Sequence, residues 1–145
     1  MLKTTNYEKD FVAWSDEQAM LLEQERFSEL DLINLIEEVR DLGSNDKHAL
    51  RSNLRIVLLH LLKWQFQPSY RSNSWLSSIV EHRQRVEELI EKSPSLKPYL
   101  EAVLDEVYLK AVRGAAKQAG LSTSSFPDAC PYTLAEVLDL DFLPD

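Results

Sequence analysis

Residues 45–65 constrain the fold more than any other stretch. Leu50, Leu54, Val57, Leu58, Leu61 and Trp64 recur at helical spacing, and Ile56, Leu59 and Leu62 fill much of the remaining circumference in the second half. A helix that is apolar nearly all round is stable in water only when other elements surround it. The most apolar run, Leu54 to Phe66, is interrupted by Arg55, His60 and Lys63 and is too short to span a bilayer, so the surroundings must be protein. This predicts a central helix over about Asn45 to Gln65.

The rest of the chain supplies the helices to surround it. A first helix is expected over about Tyr7 to Gln24, with Ser15 and Gln18 in a capping-box pattern that implies a late start or a break. A second carries Leu32, Leu35, Ile36, Val39 and Leu42 on one stripe, with Glu37, Glu38 and Asp41 outside it. Gly43-Ser44 then reads as a stop followed by a new N-cap, or as a bend in one longer helix. Pro68 ends the central helix, Ser72 or Asn73 caps a fourth over Ser74 to Lys92, and the Ser93–Pro98 corner leads to a fifth over Pro98 to Ala119. Gly120 closes that one. The tail has Pro127, Pro131 and Pro144, which leave room for one short helix, about Leu134 to Leu138. Phe126, Tyr132 and Phe142 make it too apolar to hang free. Short connections make sequential helices antiparallel. The expected architecture is all-α: one domain over residues 1–145, an up-down antiparallel bundle of four to five helices, and a C-terminal strap containing one short helix.

Charge is segregated along the chain. Residues 1–46 carry 4 basic and 12 acidic side chains, residues 47–85 carry 7 and 1, and residues 86–145 carry 5 and 11, for a net charge of −8. Such a balance disfavours nucleic acid or an acidic membrane as the main partner. Within the basic centre, Lys47, Arg51 and Arg55 follow one another at i+4 steps. The row reads as a solvated face or as a docking face for an acidic partner. A single cysteine, Cys130, has no internal partner, and the stretch from Met1 to Tyr7 has no apolar run that would serve as a signal peptide. A cytoplasmic protein with no membrane span is expected.

Several stretches together resemble a bacterial family designated domain of unknown function 29. They are Tyr7–Trp14, Asp31–Val39 with Gly43, His60–Pro68, Ser74-Trp75, Pro94–Leu96, Gly120-Leu121, Phe126-Pro127 and Cys130–Leu134, in order over nearly the whole chain. The resemblance implies a helical bundle and carries no activity with it.

Few groupings could carry chemistry. The three glycines stand singly at 43, 114 and 120, so no phosphate-cradling loop exists, and the nucleophile elbow, paired cysteines and His-Glu-x-x-His zinc pattern are missing. None of the three histidines follows a glutamate at the i+3 spacing of di-iron bundles. One cluster survives. His60 and His82 are equally distant from residue 71, so a hairpin centred there sets them at one depth, and the next corner brings Tyr108 to a similar level. Buried imidazoles need partners, so the trio reads first as a satisfied polar core and second as a ligand or catalytic cluster. Glu37-Glu38 and Glu87-Glu88 point about 100° apart on a helix and read as solvated faces. Trp14, Trp64 and Trp75 read as core anchors, and Cys130 lacks a basic neighbour to activate it. No metal or cofactor is expected. The leading expectation is a non-enzymatic protein-interaction module, binding itself as a homodimer or another protein. The alternatives are a toxin–antitoxin or nucleic-acid-linked regulator and a metal- or small-ligand-binding bundle enzyme.

Overall fold

A computed structural model describes residues 6–145. The inference drawn from the N-terminal stretch rests mainly on Met1–Thr5, which lies outside them. Among the described residues five α-helices follow in order: α1 (Phe11–Glu23), α2 (Leu32–Phe66), α3 (Asn73–Lys92), α4 (Leu96–Ala119) and α5 (Leu134–Leu138). Single 3-10 turns lie at Phe27–Glu29, Pro68–Tyr70 and Thr123–Ser125, and no strand occurs among the described residues. The chain is all-α.

The two helices expected on either side of Gly43 are one. Gly43 lies inside α2, and a Cβ added there would meet nothing within 4 Å. Nor does Ser15 start a helix. Asp10 is the N-cap of α1, its carboxylate accepting from the Ala13 N–H at 3.1 Å, and Gln18 lies well inside the helix. Elsewhere the caps fall where the residue types place them. Ser72 caps α3, Gly120 ends α4 in the left-handed conformation at φ 68°, and Thr133 with Glu136 forms a reciprocal capping box on α5.

Contacts divide the chain into two compact units, Met1–Asn45 and Asp46–Asp145. In the first, α1 and the start of α2 form a helical hairpin. Trp14, 2% exposed, anchors it by donating its indole N–H to the Asp31 carboxylate at 2.9 Å. Tyr7, Phe11 and Trp14 pack as neighbouring rings with centroids 4.7–5.6 Å apart.

The second unit holds the main core. Leu50, Leu54, Leu58, Leu61 and Leu62 of α2 are fully buried against Ile79 and Val86 of α3 and Leu100, Ala111 and Ala115 of α4. Side-chain pairs give the helix directions. Lys63 lies over the Trp75 ring and Lys92 reaches Asp46, so α3 runs antiparallel to α2. Arg51 meets Glu106 and Lys63 meets Gln118, so α4 returns parallel to α2. The tail then crosses this bundle as a strap. Its Phe126, Tyr132 and Val137 are buried in the same core.

Candidate functional site

The stripe Leu32, Ile36, Val39 and Leu42 has the same spacing as the buried stripe further along α2, yet its environment is opposite. Val39 is 64% exposed and Leu42 70%, and Leu32, Ile33 and Ile36 are exposed as well. On α1 the side chains of Phe11, Val12, Met20 and Leu22 are exposed too. Between the two helices runs a groove of about 320 Å³, walled by Phe11, Trp14, Gln18 and Leu22 from α1 and by Leu35, Glu38, Val39 and Leu42 from α2. Scattered surface apolar groups are ordinary, whereas these form one contiguous groove and stripe.

Ser15, Gln18 and Glu38 are the polar residues of the groove's lining. Glu38 accepts a hydrogen bond from the Tyr7 hydroxyl, which pushes the pKa of that phenol up to about 12. Gln18 is 2% exposed, and its Oε1 accepts from the Asp31 N–H at 2.8 Å. Its Nε2 is buried with no hydrogen-bond acceptor among the described residues. Asp31 is itself well supplied: the Asn34 amide and the Trp14 indole hold its carboxylate below the usual range against the opposing effect of burial. In the sequence Gln18 reads only as the second half of a capping box with Ser15, although Trp14 at i−4 and Leu21 at i+3 place it on the buried face of α1.

The histidines do come near each other. The pKa of His60 is lowered chiefly by burial, with a smaller repulsion from His82. Each ring turns its Nδ1 to a carbonyl one turn back, His60 to Ile56 at 2.9 Å and His82 to Ser78 at 2.7 Å. Because a carbonyl only accepts, each ring donates from Nδ1 there. Tyr108 is engaged elsewhere. Its hydroxyl donates to the Pro127 carbonyl at 2.6 Å and so fastens the strap. Burial raises its pKa to about 12. No group of three or more His, Cys, Asp or Glu able to hold a metal ion occurs among the described residues. Each histidine thus has its Nδ1 paired within its own helix.

The basic row divides. Lys47 lies over the Tyr99 ring, 5.2 Å from its centroid, and Arg51 donates to Glu106 at 2.7 Å and to the Tyr99 hydroxyl at 3.4 Å. Both are thus engaged with α4. Arg55 lines a shallow hollow of about 170 Å³ with His48, Arg51, Ser52 and Lys110. Cys130 has its thiol pKa raised, by burial first, which leaves it a poor nucleophile at neutral pH.

A second buried polar residue was also hidden in the sequence. Arg83 is 2% exposed and donates to the carbonyls of Val137 at 2.7 Å, Phe142 at 2.8 Å and Glu136 at 3.2 Å. It ties the strap down and also lines a hollow of about 190 Å³ with Val86, Ile90, Lys97 and Leu138.

The fold and the groove define an all-α protein with a helical hairpin bearing an exposed apolar groove and a helical bundle closed by a strap. The chain belongs to the family described as Domain of unknown function DUF29, whose model matches residues 6–143. No curated protein and no solved structure matches it. Among the described residues, no helix is long and apolar enough to cross a membrane.

Proposed function

We propose that this chain is a protein-interaction module that docks an amphipathic helix of a partner protein along the α1–α2 groove. The observation that carries this reading is the exposed stripe Leu32, Ile36, Val39 and Leu42 beside that groove. Fully burying one such side chain is worth roughly 1.5–3 kcal/mol, so a helix laid along the stripe has ample driving force. The helix-in-groove mode needs apolar anchors at i, i+3, i+4 and i+7 on the incoming helix.

Charge selects the occupant. Residues 1–46 carry 12 acidic and 4 basic side chains, so the groove lies in a negative field. A second copy brings the same charges to a self-complementary interface, and like charges set face to face cost affinity. A helix with Lys or Arg flanking its apolar stripe meets the field favourably. The partner is therefore another protein, with basic flanks.

The test combines capture with a groove variant. Val39→Asp introduces a charge at an already exposed position, so the fold should tolerate it. The tagged full chain should retain one stoichiometric partner from its native host, cross-linked through a basic amphipathic helix, and Val39→Asp should lose it. A homodimer in light scattering that Val39→Asp splits would overturn the choice of partner. Capture unaffected by Val39→Asp would overturn the groove.

A further inference from the structure

Gln18 occupies the floor of the groove, and its amide orientation is settled by its neighbour. The Oε1 must face the Asp31 N–H, since exchanging oxygen and nitrogen would set donor against donor. The Nε2 is then left buried with two N–H groups and no acceptor among the described residues. A buried donor without an acceptor is destabilising, and a methionine of similar size would fill the same space without that donor.

We infer that Gln18 is the specificity-determining residue of the groove: its Nε2 donates to an uncharged acceptor oxygen that the docked helix carries in the middle of its apolar stripe. This rests on the docking reading above and names the partner's chemistry further. The acceptor is an Asn or Gln carboxamide or a Ser or Thr hydroxyl. A carboxylate is rejected, because Glu38 lines the same groove and Asp31 adjoins Gln18 through its backbone. Two more anionic oxygens brought there would meet like charge in a poorly hydrated place. The arrangement resembles a single polar layer in an otherwise apolar helix interface, where one buried hydrogen bond sets register and excludes partners that lack it. An all-apolar helix would cover the amide and leave its donors unmet. The recognised segment is thus an amphipathic helix with basic flanks and one neutral polar residue interrupting its stripe.

A displayed library of amphipathic 20-residue peptides tests this, with Lys or Arg on the flanks and Leu, Ile, Val, Asn, Gln, Ser, Thr, Asp or Glu allowed at the stripe positions. Selection on the full chain should enrich one neutral polar residue at a single stripe position. Selection on Gln18→Met should enrich apolar residues there. In titrations with one selected peptide, Gln18→Met should weaken binding about tenfold or more, as should replacing the peptide's polar residue by Leu. The two changes together should cost little more than either alone. The peptide-side exchange reads the same contact on the unaltered protein if Gln18→Met folds poorly. All-apolar or acidic winners on the full chain, or additive losses in the cycle, would overturn the role of Gln18 while leaving the groove intact. Failure of the docking reading looks different: no peptide is enriched, or the winners bind Val39→Asp as well as the original chain.

Discussion

Arg83 and Glu25 show how single residues hold positions that ordinary preferences disfavour. Arg83 is a charged side chain in a core, and burial pulls its pKa down against a smaller opposing pull from Asp139. What keeps it there is the demand of the strap. A helix as short as α5 satisfies its last carbonyls poorly: that of Glu136 has a long bond from the Asp139 N–H at 3.3 Å, and Arg83 donates to it and to those of Val137 and, beyond the helix, Phe142. Hydrogen bonds from a charged donor are worth about 1.5–3 kcal/mol each before the desolvation of the guanidinium is subtracted. Arg83→Met should therefore destabilise the chain by about 2 kcal/mol or more and expose the strap to limited proteolysis beyond Gly120. An unchanged digestion pattern would show that apolar packing alone holds the strap. Glu25 ends α1 at φ 55°, the left-handed conformation usual for glycine, with the Arg26 N–H returning to the Leu21 carbonyl at 2.9 Å. A side chain there costs roughly 1–2 kcal/mol. Glu25→Gly should raise the stability of the hairpin by about 1 kcal/mol, read as slower hydrogen exchange of the α1 amides.

At the scale of elements, α2 decides how the chain is organised, and Gly43 is the test of its continuity. A glycine inside a helix costs about 0.5–1 kcal/mol relative to alanine, and the space around Gly43 is open. Gly43→Ala should raise the urea midpoint by a corresponding amount, and a lowered midpoint would mean the helix bends there in solution. The sequence left this point ambiguous, because Gly-Ser is both a helix stop with a new cap and a tolerable pair inside a longer helix. The boundaries at Ser72, Gly120 and Thr133 were legible for a physical reason: these residues have side chains or conformations that satisfy helix ends locally, whereas the Ser15 pattern misplaced the start of α1. The short link between α2 and α3 brings His60 within electrostatic reach of His82. Burial was not legible. Leu32 to Leu42 and Leu50 to Leu61 share one periodicity, and periodicity says that a face is apolar without saying what covers it. Gln18 was hidden for the same reason, as its importance lies in a bond it does not make.

Across the whole molecule, several buried or half-buried groups resist titration, and they set the pH range in which the fold is strong. His60 has its pKa lowered from the ordinary 6.5, chiefly by burial. As pH falls below that ordinary value the unfolded chain takes up a proton that the folded chain refuses, so stability declines through the lower folded value. Tyr108 works in the opposite range. Burial raises its pKa from 10.0 to about 12, and the pKa of Tyr132, whose hydroxyl donates to Gln65 at 2.8 Å, is raised as well. A group whose folded pKa is raised contributes its full share below the unfolded value, and that share disappears as pH climbs through the folded one. Stability should thus be broad from neutrality to about pH 10, the ordinary tyrosine value, and fall between there and about pH 12. Tyr108→Phe separates the two contributions of that residue. Losing the bond to Pro127 should lower the neutral plateau by about 1 kcal/mol, while removing the titrating hydroxyl should make the alkaline decline shallower. Urea midpoints measured from pH 5 to pH 11 read both effects. A lowered plateau with an unchanged alkaline slope would assign the whole decline to Tyr132 and other groups, and would mean that the Tyr108 hydroxyl reaches water in the folded chain.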